Sequence, residues 1–312
     1  MEEKINQNQF KTSIGGQALI EGVMMRGPKK IAMAVRKPDK EIVVKVEDIK
    51  TFASKYKIFK LPFLRGVVAL VEAMMIGMKA LMFSAEFFEE EETSKESWTQ
   101  KIFGDKAEDV EMFFTILISI GLAIVIFMIL PSFITSVFKK NFENPIVLNL
   151  IEGLFRVAIF FIYVIGVSKF EDIKRVFEYH GAEHKTIHCY ENNLELKVEN
   201  VKKFPILHPR CGTSFLFMVM IISIFVLSFF GWPNPLQRVV IRIVMFPVIA
   251  GISYEVNRII GKSSSKLCYI LSYPGLMIQK LATVKEPDDE QIQVAIEALL
   301  PVIPENRDEG LW

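Results

Sequence analysis

The chain has 312 residues, of which 51% are hydrophobic and 23% charged, and its 37 Lys and Arg nearly balance its 36 Asp and Glu. This composition excludes an intrinsically disordered chain, and three Cys are too few for a disulfide framework. The balanced charge provides no bulk positive field, so we expect no nucleic-acid partner. Because the chain is apolar on average yet normally charged, its apolar residues must be concentrated in segments, which indicates a membrane protein.

A small β-rich unit is predicted at the start of the chain. Residues 31–36 and 41–46 are rich in strand-forming residues, and the turn signal at residues 37–40 predicts that they form a hairpin. Glycines bracket one further candidate strand at residues 17–26.

Two segments are apolar but poorly suited to cross a bilayer. Residues 61–88 carry the charged side chains Arg65, Glu72, Lys79 and Glu86. Residues 267–281 are short and interrupted by Pro274. We interpret both as interfacial, re-entrant or buried helices. The acidic run at residues 89–92 is typical of a solvated linker.

Four apolar segments have about the 20 residues that a membrane span requires. They are residues 112–138, 146–168, 214–232 and 239–256. Short loops join them in pairs, which predicts two hairpins. The long connection at residues 169–213 carries Lys and Arg near both ends, so the positive-inside rule places it in the cytoplasm. With four spans, both termini are then also cytoplasmic. We expect the protein to lie in the cell (inner) membrane.

The predicted fold class is therefore an α-helical multi-span membrane protein with about four transmembrane helices in two hairpins. A small N-terminal β unit and a cytoplasmic His-rich helical loop complete it. The predicted divisions are the β unit (1–55), an amphipathic or re-entrant helix with the acidic linker (56–110), the first hairpin (111–168), the His-rich loop (169–213), the second hairpin (214–260) and cytoplasmic or interfacial C-terminal helices (261–312). The last division includes an amphipathic helix at residues 286–300.

All four histidines lie between residues 180 and 208. On a helix that turns about 100° per residue, His180, His184, His188 and Glu191 share one face. His180 and His184, four residues apart, form a standard pair of metal ligands. His188 lies about 12 Å along the axis from His180, so it serves a second ion, supports the ligands, or follows a break in the helix. Glu178 is a further supporting candidate.

The same stretch matches the H-x-x-E-H pattern of inverted zinc peptidases, from His180 to His184. In that pattern the Glu, here Glu183, is a catalytic base that activates water. A polar surface helix without a metal is the alternative interpretation.

A second element, His208-Pro-Arg-Cys-Gly-Thr-Ser, precedes the third predicted span. His208 and Cys211 are spaced as two ligands on a turn, and they could complete a site begun by His180 and His184. These donors favour zinc, whereas iron or manganese would fit if a carboxylate also ligates. Cys211 as a reactive thiol, or a plain membrane-entry turn, are alternatives. Within the second predicted span, Glu152 and Arg156 are spaced to pair with each other.

Three blocks carry a family resemblance: GGQALIEGVMMRGP at 15–28, EYHGAEHK at 178–185 and HPRCGTS at 208–214. In this order they resemble the YqhQ-type family of bacterial membrane proteins, a domain of unknown function described as a predicted metal-dependent enzyme. The resemblance implies functional residues at His180, Glu183, His184, His208 and Cys211. It also places Gln17, Glu21 and Arg26 in the core of the protein.

Two functional hypotheses remain. The first is a metal-dependent membrane enzyme, with a divalent metal, most simply zinc, and hydrolysis of a lipid-linked or amphipathic substrate at the cytoplasmic membrane face. The second is a non-enzymatic membrane protein, either a lipid- or ion-handling channel or a scaffold, with a structural His/Cys site. Both imply membrane lipids as partners, and both are compatible with a homo-oligomer.

Overall fold

The computed structural model describes residues 10–49, 57–88, 104, 107–263 and 265–310. The predicted acidic linker at residues 89–92 lies outside the described residues. The chain forms two compact units. The first comprises Met1–Phe88, Val164–Val219 and Pro247–Trp312, and the second comprises Glu89–Tyr163 and Met220–Phe246.

The first unit begins with a four-stranded antiparallel sheet in the order β1-β2-β3-β4. Its strands are β1 (Gly15–Leu19), β2 (Gly22–Arg26), β3 (Lys30–Arg36) and β4 (Ile42–Asp48). The predicted β unit and its hairpin between β3 and β4 are confirmed. The single strand predicted at residues 17–26 is wrong, because the chain reverses at Ile20 and Glu21, and Glu21 adopts a positive φ of 47°.

Ten α-helices follow in the described part of the chain. They are α1 (Leu64–Ala85), α2 (Ala107–Ile124), α3 (Leu130–Phe138), α4 (Pro145–Val167), α5 (Glu171–Glu191), α6 (Val198–Val201), α7 (Gly212–Ser228), α8 (Pro235–Lys262), α9 (Lys266–Ile278) and α10 (Asp289–Leu299). A π-helical turn, Val125–Ile129, joins α2 to α3, and a second, Gln279–Thr283, follows α9. The predicted C-terminal amphipathic helix is α10, which begins with a capping box formed by Asp288 and Gln291.

The central strands β2 and β3 are buried on both faces of the sheet, since their successive residues point to opposite sides and both sets are covered. Val23 and Met25 face a core shared with α5 and α10, which contains Ala182, Ile292 and Ala295. The neighbouring strand positions, among them Met24 and Met33, face a second cluster that includes Ala80 of α1. The sheet therefore separates α1 from α5 and α10 within the first unit.

Within the residues that the structure describes, four helices are long and apolar enough to cross a membrane: Leu64–Ala85, Val110–Phe138, Pro145–Val167 and Pro235–Lys262. The expectation of about four such helices is met, but the set differs from the predicted one. The third predicted span is the 17-residue helix α7, and the charged segment at residues 61–88 contains the 22-residue helix α1.

The sequence did not predict α1 as a possible span because its charged residues interrupt the apolar pattern. Each of three pairs with a partner in the first unit: Arg65 with Glu255, Glu72 with Arg26 and Lys79 with Glu47.

Candidate metal centre

The helix α5 carries most of the candidate site, and its helical state was predicted. Glu171 and Asp172 in its first turn interact favourably with the positive end of the helix dipole. The helix ends at Glu191, and Asn193, just beyond its C-cap, adopts a left-handed φ of 57°, as Asn often does at this position. Every residue from Gly181 to Ile187 is buried. An unusually polar helix therefore lies inside the first unit.

Gly181 allows a second chain segment to lie directly on α5. A Cβ atom at this position would overlap the carbonyl oxygen of Lys285. The backbone N–H of Lys285 also donates to the carbonyl of Phe177 at 2.9 Å. This contact brings the π-helical turn Gln279–Thr283 beside the histidines.

Three potential ligand atoms converge near the middle of α5. One atom each of His180, His184 and Cys211 lies within 4.8 Å of the other two. Nε2 of His180 is 3.2 Å from Sγ of Cys211. Cys211 immediately precedes α7, so the start of that helix positions the thiol next to His180 and His184.

Both imidazoles are oriented by backbone carbonyls. Nδ1 of His180 donates to the carbonyl of Thr283 at 2.8 Å, and Nδ1 of His184 donates to the carbonyl of Ile206 at 2.7 Å. Because a carbonyl only accepts, Nδ1 of each ring must carry a proton, so Nε2 is the nitrogen of each ring that could bind a metal. Protein metal ligands are typically held in this way, with the second ring nitrogen hydrogen-bonded to a carbonyl or carboxylate.

Gln279 fixes the loop that supplies Cys211. Its side chain accepts from the backbone N–H of His208 at 2.9 Å and donates to the carbonyl of His208 at 2.8 Å. It also donates to Oγ of Ser214 at 3.3 Å. The amide is completely buried, so these bonds replace those that water would make. π-Helical turns are often found at functional sites, and this one places both Gln279 and Thr283 against the loop and α5.

Glu183 lies beside His180 in a buried position. Its carboxylate accepts from the backbone N–H of Gly16 in β1, and a Cβ at Gly16 would come within 2.9 Å of the Glu183 carboxyl carbon. Oε2 of Glu183 has no hydrogen-bond partner among the described residues. The sequence blocks at residues 15–28 and 178–185 therefore meet at Glu183. Its Oε2 is available to a water molecule or a substrate.

The electrostatics of the group follow from burial and from the close contact of His180 with Cys211. Burial opposes charge on both groups, yet their mutual attraction raises the pKa of His180 to about 9 and holds the pKa of Cys211 well below its usual range. Burial, aided by repulsion from His180, lowers the pKa of His184 to about 4. Burial raises the pKa of Glu183. Without a metal, the site therefore favours a thiolate paired with one imidazolium.

A second group consists of His188, Glu191 and His208, whose candidate ligand atoms also lie within 4.8 Å of one another. Arg210 already occupies this group: its guanidinium pairs with Glu191 and comes within 3.3 Å of Nε2 of His208. The backbone N–H of Thr12 donates to Glu191 at 2.7 Å. The positive charge that a metal would bring is therefore supplied by an arginine.

The structure divides the ligand set that the sequence pattern combined. Cys211 joins His180 and His184, whereas His208 lies with His188 and Glu191. The helix continues unbroken through His188, so the predicted alternative of a break before that residue is wrong. A second ion or a supporting role for His188 remains.

Other sequence-predicted residues lie elsewhere. Glu178 accepts a hydrogen bond from Gln291 of α10. Glu21 forms an ion pair with Arg175 and accepts a hydrogen bond from Tyr179. Gln17 lies against Gly77 of α1, and Arg26 forms an ion pair with Glu72. Glu152 and Arg156 do pair with each other, in the second unit.

Sequence reasoning missed Gln279, Thr283 and the role of Arg210. A polar Gln within the apolar stretch at residues 267–281 was a usable signal, since buried amides need partners. Thr283 gave no signal, because it contributes a backbone carbonyl that every residue possesses.

Comparison with known proteins agrees with the resemblance of the three blocks. Residues 61–305 match the model of a family described as "Protein of unknown function (DUF1385)". The uncharacterized protein YqhQ of Bacillus subtilis (strain 168) is 35% identical over 304 residues, which cover 94% of this chain and 93% of that protein. No solved structure matches the chain.

Proposed function

The chain belongs to the DUF1385 family, and we propose that it is a metal-dependent membrane enzyme that hydrolyses a lipid-linked or amphipathic substrate. The observation that carries this proposal is the convergence of His180, His184 and Cys211, with both imidazoles oriented by carbonyl groups. The protein lies in the cell membrane, with the connection at residues 169–213 and both termini in the cytoplasm.

The donor set fits zinc. Two imidazoles and a thiolate are its common ligands, and the thiolate offsets part of the charge that burial of the ion would require. Three protein ligands are typical of catalytic zinc sites, which keep a further position for water or substrate. Bound there, zinc would polarise a substrate oxygen and make water more acidic.

The remaining chemistry falls to residues of this chain. Glu183 Oε2, buried and without a hydrogen-bond partner among the described residues, accepts the proton of the attacking water. The N–H of Gly16 orients that carboxylate. Arg210 and Glu191 neutralise each other next to His208 and hold the loop that contains Cys211.

An amphipathic substrate suits the surroundings of the site. Cys211 directly precedes the apolar helix α7, and Ser214 in the first turn of α7 borders a narrow cleft. Phe217, Met218 and Leu271 line the same cleft. A polar reacting group at Cys211 could therefore be accompanied by an apolar chain along α7.

Metal content tests the proposal directly. The full-length protein, purified in detergent, should contain about one equivalent of metal by plasma mass spectrometry. His184→Ala and Cys211→Ser should lose it. His188→Ala is the matched control on the same helix, and it should retain the metal because Arg210 already occupies the second group.

Glu183→Gln separates binding from chemistry. It should keep the metal and lose about 10²–10⁴-fold in hydrolysis of any membrane-linked substrate found by screening. Metal absent from the wild-type protein, or retained by both His184→Ala and Cys211→Ser, would refute the proposal.

A structural metal site in a non-enzymatic channel or scaffold is the second candidate. The observation that favours it is burial, since His184 is 1% and Cys211 7% exposed. Removing a structural ion with a chelator should lower the melting temperature sharply, because such ions contribute folding energy. Removing a catalytic ion should leave most of the stability intact and expose a site that rebinds zinc.

A further inference from the structure

A cluster of three arginines surrounds one carboxylate in the second unit. Glu152 of α4 forms ion pairs with Arg156 of the same helix and with Arg238 and Arg242 of α8. All four side chains are at least 86% buried, as their exposed fractions are between 1% and 14%. The sequence had indicated only the pair of Glu152 and Arg156.

The charges of this cluster do not balance. Arginine stays protonated in proteins, so three positive charges face one negative charge among apolar helices. A buried charge without a counter-charge is costly, and ionisable groups in such positions usually mark a functional interior. Among the described residues, the cluster therefore has two positive charges more than negative ones.

Arg238 is the least satisfied of the three. Its Nη1 lies 3.6 Å from Oε2 of Glu152, too far for a hydrogen bond, and neither its Nε nor its Nη1 has a hydrogen-bond partner among the described residues. Its guanidinium stacks on the ring of Trp232 at 4.0 Å. In contrast, Arg242 donates to Glu152 and to the carbonyl of Met128 at 3.0 Å.

A cleft opens beside these arginines. Arg238 and Arg242 line it together with Asn149, Leu227 and Gly231. Arg238 is the fourth residue of α8, so it lies about 5 Å from the start of that helix at about 1.5 Å per residue. In a membrane-spanning helix this is the level of the lipid headgroups rather than of the hydrocarbon core.

We propose that this cleft binds a phosphate group, either that of a lipid headgroup or a free phosphate. A phosphate supplies the negative charge that the cluster lacks, and its oxygens can accept from the nitrogens of Arg238 that have no partner among the described residues. This site is independent of the histidine centre and does not rest on its proposed function.

Thermal unfolding of the delipidated full-length protein in a neutral detergent tests the site. Three additions are compared at equal ionic strength: sodium phosphate, sodium chloride and a short-chain phosphatidylglycerol. We expect phosphatidylglycerol, phosphate or both to raise the melting temperature by roughly 3 °C or more, and chloride to have no effect. A response to the lipid alone identifies a headgroup, and an equal response to phosphate identifies a free anion. No response to either overturns the proposal.

Variants assign the response to the cleft. Arg238→Gln should remove it without lowering the melting temperature of the ligand-free protein, because the change deletes a buried charge that lacks compensation. Lys140→Gln, which removes one exposed positive charge from the same unit, should respond as the wild type does. If Arg238→Gln fails to fold, Arg238→Lys decides: its lipid affinity should fall at least about tenfold, since lysine cannot bind a phosphate bidentately. Unchanged affinity in either Arg238 variant overturns the proposal.

Discussion

Nε2 of His180 lies 3.2 Å from Sγ of Cys211, although 31 residues separate them in the chain. Two elements produce this contact: the buried helix α5 and the loop that Gln279 holds by both backbone groups of His208. The contact creates a thiolate in a buried place, where it is costly unless a cation or a metal compensates it. The chemistry of the three cysteines should therefore differ in a predictable way.

Thiol alkylation should distinguish the three cysteines at pH 8. Burial raises the pKa of Cys189 to about 11, so this thiol stays protonated and unlabelled in the folded protein. Cys268 is partly exposed, and hydrogen bonds from Ser263 and then Ser265 lower its pKa, so iodoacetamide should label it first. Cys211 should be labelled only after a chelator has removed the metal, and added zinc should protect it again.

Peptide mass spectrometry after labelling provides the measurement, and the same labelling in denaturant provides the control in which all three cysteines react. Full labelling of Cys211 in the folded protein before any chelator is added would show that no metal protects its sulfur.

Gly181→Ala should destabilise the protein by about 1–3 kcal/mol, because a Cβ there overlaps the carbonyl oxygen of Lys285 and must push the segment away from α5. It should also weaken metal binding, since the displaced segment carries the Thr283 carbonyl that orients His180. Chemical denaturation and metal titration measure the two effects.

Gly166→Ala is the matched control. Gly166 also lies in a helix, but a Cβ there meets no atom within 4 Å. Alanine should therefore be neutral, or stabilise by up to about 1 kcal/mol through its helix propensity. Equal effects of the two substitutions would mean that the segment does not lie on α5 at Gly181.

The helical histidine face could be predicted from the sequence because it depends only on local periodicity. The same holds for the hairpin between β3 and β4, whose turn residues have characteristic composition. The turn at Ile20 and Glu21 was missed because neither residue is a typical turn former. Its left-handed Glu21 is instead accompanied by an ion pair with Arg175, a contact 154 residues away.

The division of the histidines into two groups could not be predicted from the sequence. Spacing alone allowed His208 and Cys211 to ligate together, since they are three residues apart. Which of them faces His184 depends on the path of the loop, and that path is set by Gln279 and Arg210 through contacts 71 and 19 residues away. No local pattern contains such information.

Gln279→Ala should loosen the loop that carries Cys211. It leaves the buried N–H and carbonyl of His208 without their partner, at a cost of about 1–3 kcal/mol for each group that stays unsatisfied. Urea denaturation should show the loss, and zinc affinity should fall by about tenfold or more. Gln293→Ala removes an amide of α10 that bonds only to Glu297 among the described partners, and should change neither quantity. A Gln279→Ala protein with wild-type stability would show that Gln279 does not hold the loop through the backbone of His208.

The helix α1 should lie along the membrane surface, although it is long enough to cross a bilayer. Its contacts with the sheet extend from Glu72, paired with Arg26, through Lys79, paired with Glu47, to Ser84, which accepts from the N–H of Ile20. From Glu72 to Ser84 is 12 helical steps, or about 18 Å of the helix at about 1.5 Å per residue. A helix bound to a sheet over that length leaves little to span a core about 30 Å thick. Its exposed methionines, among them Met75, would instead face the lipid.

Cysteine labelling with a membrane-impermeant maleimide tests this placement. Lys40→Cys in the turn before β4 and Gly104→Cys beyond α1 should both be labelled in inside-out vesicles and protected in right-side-out vesicles. Lys140→Cys, after α3, is the control and should show the opposite pattern. Peptide mass spectrometry separates the new thiols from the native ones. If α1 crossed the bilayer, positions 40 and 104 would be labelled from opposite sides, and the sheet could not keep its ion pairs with α1 in the membrane.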